Sequence, residues 1–214
     1  MRTILVANPK GGSGKTTLAT QLAGWLAGKR QRVVLADHDP QRSATEWLAR
    51  RPALFPPIIG LPPGARKGEV RGFDPQYVVV DSAAGLHGDD LADAVRGADM
   101  MLVPVSPSAF DVAATRRFLA TIGDAKPVRR GTLAVGLVAM RVDVRTLSAA
   151  ELDAFLDGVG HPLVAHLRDA QVYVHCARDG ATVFDLPRSR AEQDWDQWRP
   201  LTRWVARHAA RQGD

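Results

Sequence analysis

The sequence predicts an α/β fold whose mostly parallel, twisted sheet is covered by helices on both faces. Three observations predict it. Short apolar runs alternate with helix-length segments along most of the 214 residues, the order that gives parallel strands joined by crossover helices. The run Tyr77-Val78-Val79-Val80-Asp81 is apolar at successive positions, not alternate ones, as in a strand buried on both faces. Finally, a strand over Thr3 to Ala7 opens into the glycine-rich stretch Asn8-Pro9-Lys10-Gly11-Gly12-Ser13-Gly14-Lys15-Thr16-Thr17, followed by a helix over Leu18 to Leu26. The length allows a substantial core, and one domain over 1–214 is expected.

Strand, glycine-rich loop, Lys-Thr and helix form the phosphate-cradling arrangement called a P-loop. Gly11, Gly12 and Gly14 let the backbone curl so that N–H groups of the loop, Ser13 and Thr17 included, converge on one anion. Lys15 then reaches the β and γ phosphates of ATP or ADP, and the Thr16 hydroxyl ligates Mg²⁺. The loop departs from G-x-x-x-x-G-K-[ST] at its start, where Pro9 replaces the first glycine and a second lysine, Lys10, follows. A lysine so early has its stem beside the nucleotide yet is poorly placed to curl onto its own phosphates.

A second strand, Arg32 to Ala36, ends in Asp37-His38-Asp39-Pro40-Gln41. Ligands of such sheets gather beyond the carboxyl ends of strands. There Asp37 is suited to hold Mg²⁺ through water and Asp39 to orient an attacking water; the competing role for both is a turn and cap. Arg42 to Arg51 reads as a helix with Trp47 and Leu48 on its apolar side. Pro52 to Arg71 is rich in Pro and Gly, with only Ile58-Ile59 fit for a short edge strand, and is expected to be the most mobile part. Asp81 closes its strand as a Walker B acid, delivering a carboxylate to the Mg²⁺ shell. A helix over Asp89 to Ala98 leads to a strand over Met100–Val105, the turn Pro104-Val105-Ser106-Pro107-Ser108-Ala109-Phe110-Asp111 and a helix to about Ile122. A strand over about Leu133–Met140 ends at Arg141, whose planar guanidinium is placed to lie over the adenine.

Near the C-terminus Leu201, Trp204, Val205 and His208 recur at helical spacing, with Arg203, Arg207 and Arg211 as a second stripe. Three readings compete: a helix docked on the sheet, a strip that joins Arg188 and Arg190 to bind DNA phosphates, and a helix lying on a membrane surface. The narrow apolar stripe and the polar Gln212-Gly213-Asp214 disfavour stable membrane insertion. No apolar run is long enough for a span, and no secretion leader precedes the first strand. Lys and Arg total 28 against 23 Asp and Glu, a net charge of +5, which permits contact with nucleic acid without requiring it. One cysteine, Cys176, makes no internal disulfide and fits a reducing cytoplasm. Six histidines lack metal-ligand spacing, and no G-x-S-x-G elbow is present.

The pattern K-G-G-x-G-K-[TS] at Lys10–Thr16 resembles the deviant P-loop of the ParA/MinD family of ATPases. Asp37, Asp39, Pro40 and Gln41 match the family's D-x-D-P-Q motif, and Ser82-Ala83-Ala84-Gly85 is similar to its small-residue switch. Pro104–Asp111 resembles the interface segment of the small partition ATPases, and Arg168–Val174 with Gly180–Phe184 resembles late segments of the ParF subgroup. The resemblance spans most of the chain, fades between Pro52 and Asp74, and is closer to ParF-like Type Ib proteins than to MinD. The lack of a long N-terminal extension fits that short subgroup. It implies a weak, partner-stimulated ATPase that forms an ATP-dependent sandwich dimer, with Lys10 crossing to the partner subunit's phosphates. It also implies nonspecific DNA binding on the nucleoid in the cytoplasm, a small adaptor protein, and a plasmid, chromosome or other large cargo. The alternatives are a MinD-like membrane-associated regulator and a metabolic P-loop enzyme that consumes ATP.

Overall fold

The computed structural model describes residues 1–61 and 67–211. In chain order the elements are β1 (Arg2–Val6), α1 (Lys15–Gly28), β2 (Val33–Asp37), α2 (Ser43–Ala49), β3 (Ile59–Gly60), α3 (Lys67–Gly72), β4 (Tyr77–Asp81) and α4 (Gly88–Arg96). They continue with β5 (Met100–Val105), α5 (Ala109–Gly123), α6 (Lys126–Arg129), β6 (Ala134–Val142), α7 (Leu147–Asp157), β7 (Leu163–Arg168), α8 (Gln171–Asp179) and α9 (Arg188–Arg211). The strands form one sheet in the order β3-β2-β4-β1-β5-β6-β7, and every pairing is parallel.

Period-two side-chain alternation divides the strands between two main cores and a small third cluster of Val34, Ala36 and Val78. On β1, Ile4 and Val6 face a core built with α1, α2 and α9, whereas Leu5, with Ala7 just beyond the strand, faces one built with α4, α5 and α7. On β5, Met100 and Leu102 join the first and Met101, Val103 and Val105 the second. Both faces of the central strands are therefore covered, which is why their sequences read as unbroken apolar runs.

Strand Ile59–Gly60 sits at the sheet edge, close to the expected Ile58-Ile59 position. Helix α3 occupies the end of the stretch expected to be irregular, and part of that stretch, 62–66, lies outside the described residues. The elements β7 and α8 were not anticipated: β7 carries a polar residue, His166, at its centre, and α8 is only nine residues long. Strand β6 runs past Met140 to Val142, so Arg141 belongs to the strand, with a left-handed φ of 53°.

The C-terminal helix docks. Trp198, Leu201 and Val205 are fully buried and Trp204 nearly so, in the core shared with α1. The helix is broken at Ala191 (φ −137°, ψ 21°) and contains Pro200. A second fastening joins the end of α2 to the loop after α8. Arg51 makes a two-pronged ion pair with Asp185 at 2.9 and 3.0 Å and donates to the Gly180 carbonyl at 3.1 Å. Its guanidinium lies 5.4 Å from the Trp47 ring and 5.2 Å from that of Phe55, and both charged side chains are almost wholly buried. Gly180 sits at φ 65°, where any side chain would collide with the Arg51 backbone. The lone Cys176 lies on the buried side of α8, and burial, reinforced by Asp185, Asp179 and Asp194, pushes its thiol up to about 12.

Gly24, inside α1, faces Thr182, and a Cβ there would lie 2.3 Å from Thr182 Cγ2. Thr182 cannot swing away, because its hydroxyl donates to Asp185 at 2.7 Å. Gly24→Ala should therefore destabilise the protein by about 2 kcal/mol in denaturant titration, although alanine is the better helix former by about 1 kcal/mol. A stabilised variant would show that the α1–Thr182 contact is loose.

Candidate functional site

The parallel sheet delivers the carboxyl ends of its strands to one edge, and the loop after β1 lies there. Asn8 fixes its entry: the buried side-chain amide donates to Pro104 O at 2.8 Å and Thr115 Oγ1 at 2.9 Å, while its oxygen accepts the Lys10 N–H at 2.9 Å. Gly12 and Gly14 adopt φ of 76° and 93°, which L side chains rarely tolerate. A Cβ on Gly14 would also meet Met140 Cε at 2.8 Å. Helix α1 begins at Lys15 with no side-chain cap, so its first N–H groups are left for an anion.

Within the loop, Lys15 is buried and its Nζ donates to the Lys10 carbonyl at 2.9 Å. Desolvation lowers its pKa, opposed by Asp81 and Asp39. The Lys10 side chain is half-buried and has no hydrogen-bond or ion-pair partner among the described residues.

The register places two acids at this edge, since Val6 pairs with Asp81 and Asp81 with Asp37, and Asp39 follows two residues beyond β2. Asp81 is wholly buried, and neither carboxylate oxygen has a hydrogen-bond partner among the described residues. Burial pushes its pKa up to about 7, with Asp37 and Asp39 adding to the rise and Thr16 and Lys15 opposing it. Asp37 is differently placed. Its Oδ2 accepts from Thr45 N at 2.8 Å and Thr45 Oγ1 at 3.0 Å, and its Oδ1 accepts from Asp39 N at 3.1 Å. The turn-and-cap arrangement weighed against metal contact is thus present. Asp39 accepts the Gln41 N–H at 2.9 Å on Oδ1 and lines the cavity above the loop.

That cavity holds about 520 Å³. Gly11, Gly12, Gly14, Lys15, Thr16 and Thr17 form its polar end. Met140, Leu167, Ala170, Tyr173 and Val174 form a largely apolar end between β6, β7 and α8. Ser13 is buried within the loop, its hydroxyl donating to Lys10 O at 3.2 Å. Arg141 lines the rim, but its Nη2 donates to Gly12 O at 2.5 Å and Ser106 Oγ at 2.9 Å. It ties the loop to the end of β5 in place of spreading over an open base site. The apolar end, together with Asn8 and Thr115, was missed by the sequence reading; Tyr173 lay in the block Arg168–Val174, where only a resemblance marked it.

The four DNA candidates stand elsewhere, on α9. Arg190, Arg203 and Arg207 are exposed. Arg188 is also exposed but lies 3.7 Å from both Glu192 and Asp196, so phosphate would have to displace two carboxylates. The side chain of Arg211 falls outside the described residues, as does Gln212–Asp214. No described helix is long and apolar enough to cross a membrane.

A parallel sheet whose first strand opens into a glycine-lysine loop, with a buried acid on the adjacent strand, defines a P-loop nucleotide-binding protein. The chain belongs to the CobQ/CobB/MinD/ParA nucleotide-binding family, whose model matches residues 4–175. It is similar to the maintenance of carboxysome distribution protein A of Gloeobacter kilaueensis, at 33% identity over 90% of this chain and 88% of that one. It is also similar to the chromosome-partitioning ATPase Soj of Thermus thermophilus, at 30% identity over 73% and 76%. A Cyanothece McdA–ATP complex shares the fold with a TM-score of 0.72 at 17% identity, over 94% of this chain and 96% of that one. MinD of Aquifex aeolicus gives 0.70 at 20% identity, over 89% and 93%.

Asp81 makes the metal-free protein sensitive to pH. Its folded pKa is raised, so the stability of its protonated form is complete below about pH 4 and declines as pH climbs towards about 7. The loss is on the order of 4 kcal/mol. Asp81→Asn, which mimics the neutral carboxyl, should therefore raise the melting temperature at pH 8 in chelator while changing it little at pH 4. An equal gain at both values would place the cause elsewhere than in this charge.

Proposed function

We propose that the protein is an ATP-hydrolysing positioning protein that dimerises around ATP and, as a dimer, holds nonspecific DNA while an adaptor connects it to a large cargo. The observation that carries this reading is the pair of lysines in one loop. Lys15 is buried at the helix start, and beside it the Lys10 side chain has no hydrogen-bond or ion-pair partner among the described residues. On this reading the loop is the deviant type and Lys10 serves the second subunit's phosphates. The carboxysome-distribution and chromosome-partitioning relatives support a positioning role; on this reading the motifs assign the chain to the ParF-like subgroup.

The loop N–H groups and Lys15 bind and orient the triphosphate, and Lys15 must leave the Lys10 carbonyl to do so. Asp81 and the Thr16 hydroxyl would hold Mg²⁺: a buried carboxylate with two unpartnered oxygens fits a hard cation. Asp37 is the weaker candidate for its outer shell, since Thr45 and Asp39 already occupy its oxygens. When bound, the ion supplies charge neutralisation across the β and γ phosphates. Asp39 keeps one oxygen free to orient the attacking water. The apolar end of the cavity takes the base, with Arg141 bracing the loop at its rim. Hydrolysis is slow until the adaptor orders these groups.

Arg190, Arg203 and Arg207 supply the basic face, and dimerisation doubles it, so weak phosphate contacts act together. Nucleoid association in the cytoplasm follows from that grip. The membrane-surface alternative loses its carrier, because the apolar stripe of α9 is spent on the core. A metabolic enzyme would instead require turnover dependent on a small-molecule acid.

With ATP and Mg²⁺ the wild type should elute as a dimer and be retained on nonspecific DNA in a salt-sensitive manner. Lys10→Ala should bind ATP but remain monomeric and lose retention at least tenfold. A wild-type protein that stays monomeric with ATP, or whose DNA retention ignores ATP, would defeat the proposal.

A further inference from the structure

Arg168 closes β7 and has two surroundings. On one side it lines the nucleotide cavity; on the other it meets α9. Its Nε and Nη2 each donate to a different oxygen of Asp194 at 2.9 Å, and Asp194 is wholly buried. Nη1 donates to Gln193 Oε1 at 2.5 Å, and the Arg168 backbone N–H donates to Gln197 Oε1 at 3.0 Å. The neighbouring wall residue, Tyr173, repeats the pattern: its ring lines the cavity, and its hydroxyl accepts from Trp198 Nε1 at 3.0 Å. Burial raises the pKa of that hydroxyl, and Asp194 beside it raises it further. Four residues of α9, from Gln193 to Trp198, are therefore fastened to two cavity residues. Immediately before them the helix is broken at Ala191.

A buried carboxylate keeps its charge only while its partner stays in place. Undocking of this part of α9 would release Arg168 and Tyr173 together, and the wall of the cavity would lose its shape. We infer that Arg168 and Tyr173, clasped by Asp194 and Trp198, are positioning residues that make nucleotide binding and docking of α9 one coupled equilibrium. A nucleotide that contacts the formed wall binds the docked state better, and docking strengthens binding by the same factor. The exposed Arg190, Arg203 and Arg207 ride on this helix, so occupancy of the cavity sets their placement. The inference rests on the nucleotide-binding reading above.

The test measures ADP and ATP affinity by calorimetry and amide exchange across 192–201 for the wild type, Tyr173→Phe and Asp194→Asn. Tyr173→Phe keeps the ring in the cavity wall and deletes only the hydroxyl; it is the decisive variant should Asp194→Asn fail to fold. The expected result is nucleotide binding weakened by about tenfold, a common size for coupling, and nucleotide-induced slowing of exchange in 192–201 that is present in the wild type and reduced in the variant. Unchanged affinity in Tyr173→Phe, even with a lowered melting temperature, or exchange in 192–201 that ignores nucleotide in the wild type, would overturn the inference alone. Failure of the wild type to bind either nucleotide would instead overturn the functional reading beneath it.

Discussion

Two opposite charges kept from water, Lys15 and Asp81, are the constraint on which the rest of the site depends. Desolvation draws each towards its neutral form, the lysine downward and the aspartate upward, and each partly restrains the other. Such a pair is costly in the empty fold and becomes favourable when an anion meets the ammonium and a cation meets the carboxylate. The sheet makes the arrangement possible. Parallel pairing sets Val6 level with Asp81, so the loop leaving β1 arrives beside the acid closing β4. Neither residue would face this environment in an antiparallel arrangement of the same strands, because their ends would lie at opposite edges.

The loop end of the cavity was legible in the sequence because its residues are local. Lys15, Thr16 and the glycines lie within one loop, and Asp37 and Asp81 each end an apolar run whose parallel neighbour is implied by the fold class. The other end was not legible. Met140, Leu167 and Tyr173 come from two strands and a short helix that converge only after folding. Asn8 stood within the motif, yet its work depends on Pro104 and Thr115, 96 and 107 residues away. For Asp37 both roles were readable, and the Thr45 hydrogen bonds that realise the capping one come from a residue eight positions on. Arg141 shows the limit most clearly. Its place at a strand end was inferred, but its left-handed backbone and its bonds to Gly12 and Ser106 turn the guanidinium towards the loop.

The two ends of the fold are held by different means. Near the loop the Lys10 ammonium and the Asp81 carboxylate have no hydrogen-bond partner among the described residues, as in a site prepared for a ligand. Around α2, α8 and α9 they are fully engaged: Arg51 with Asp185, Arg168 with Asp194, and Trp195 Nε1 with the Val183 carbonyl at 2.7 Å. These buried pairs cost desolvation, and apolar replacements could match them in stability. What they add is geometric definition, since a guanidinium fork accepts its carboxylate in few orientations. The basic residues of α9 are thereby presented on a helix whose docked position is defined by directional pairs as well as by apolar packing.

The seclusion of Cys176 has a practical corollary. With its thiol packed into the core from α8 and held largely in the unreactive protonated form, the native chain behaves towards maleimides as though it carried no cysteine. A single thiol introduced on an exposed surface would then take a fluorophore or spin label at one known place. Subunit exchange and helix motion become accessible to distance measurement without first rebuilding the interior.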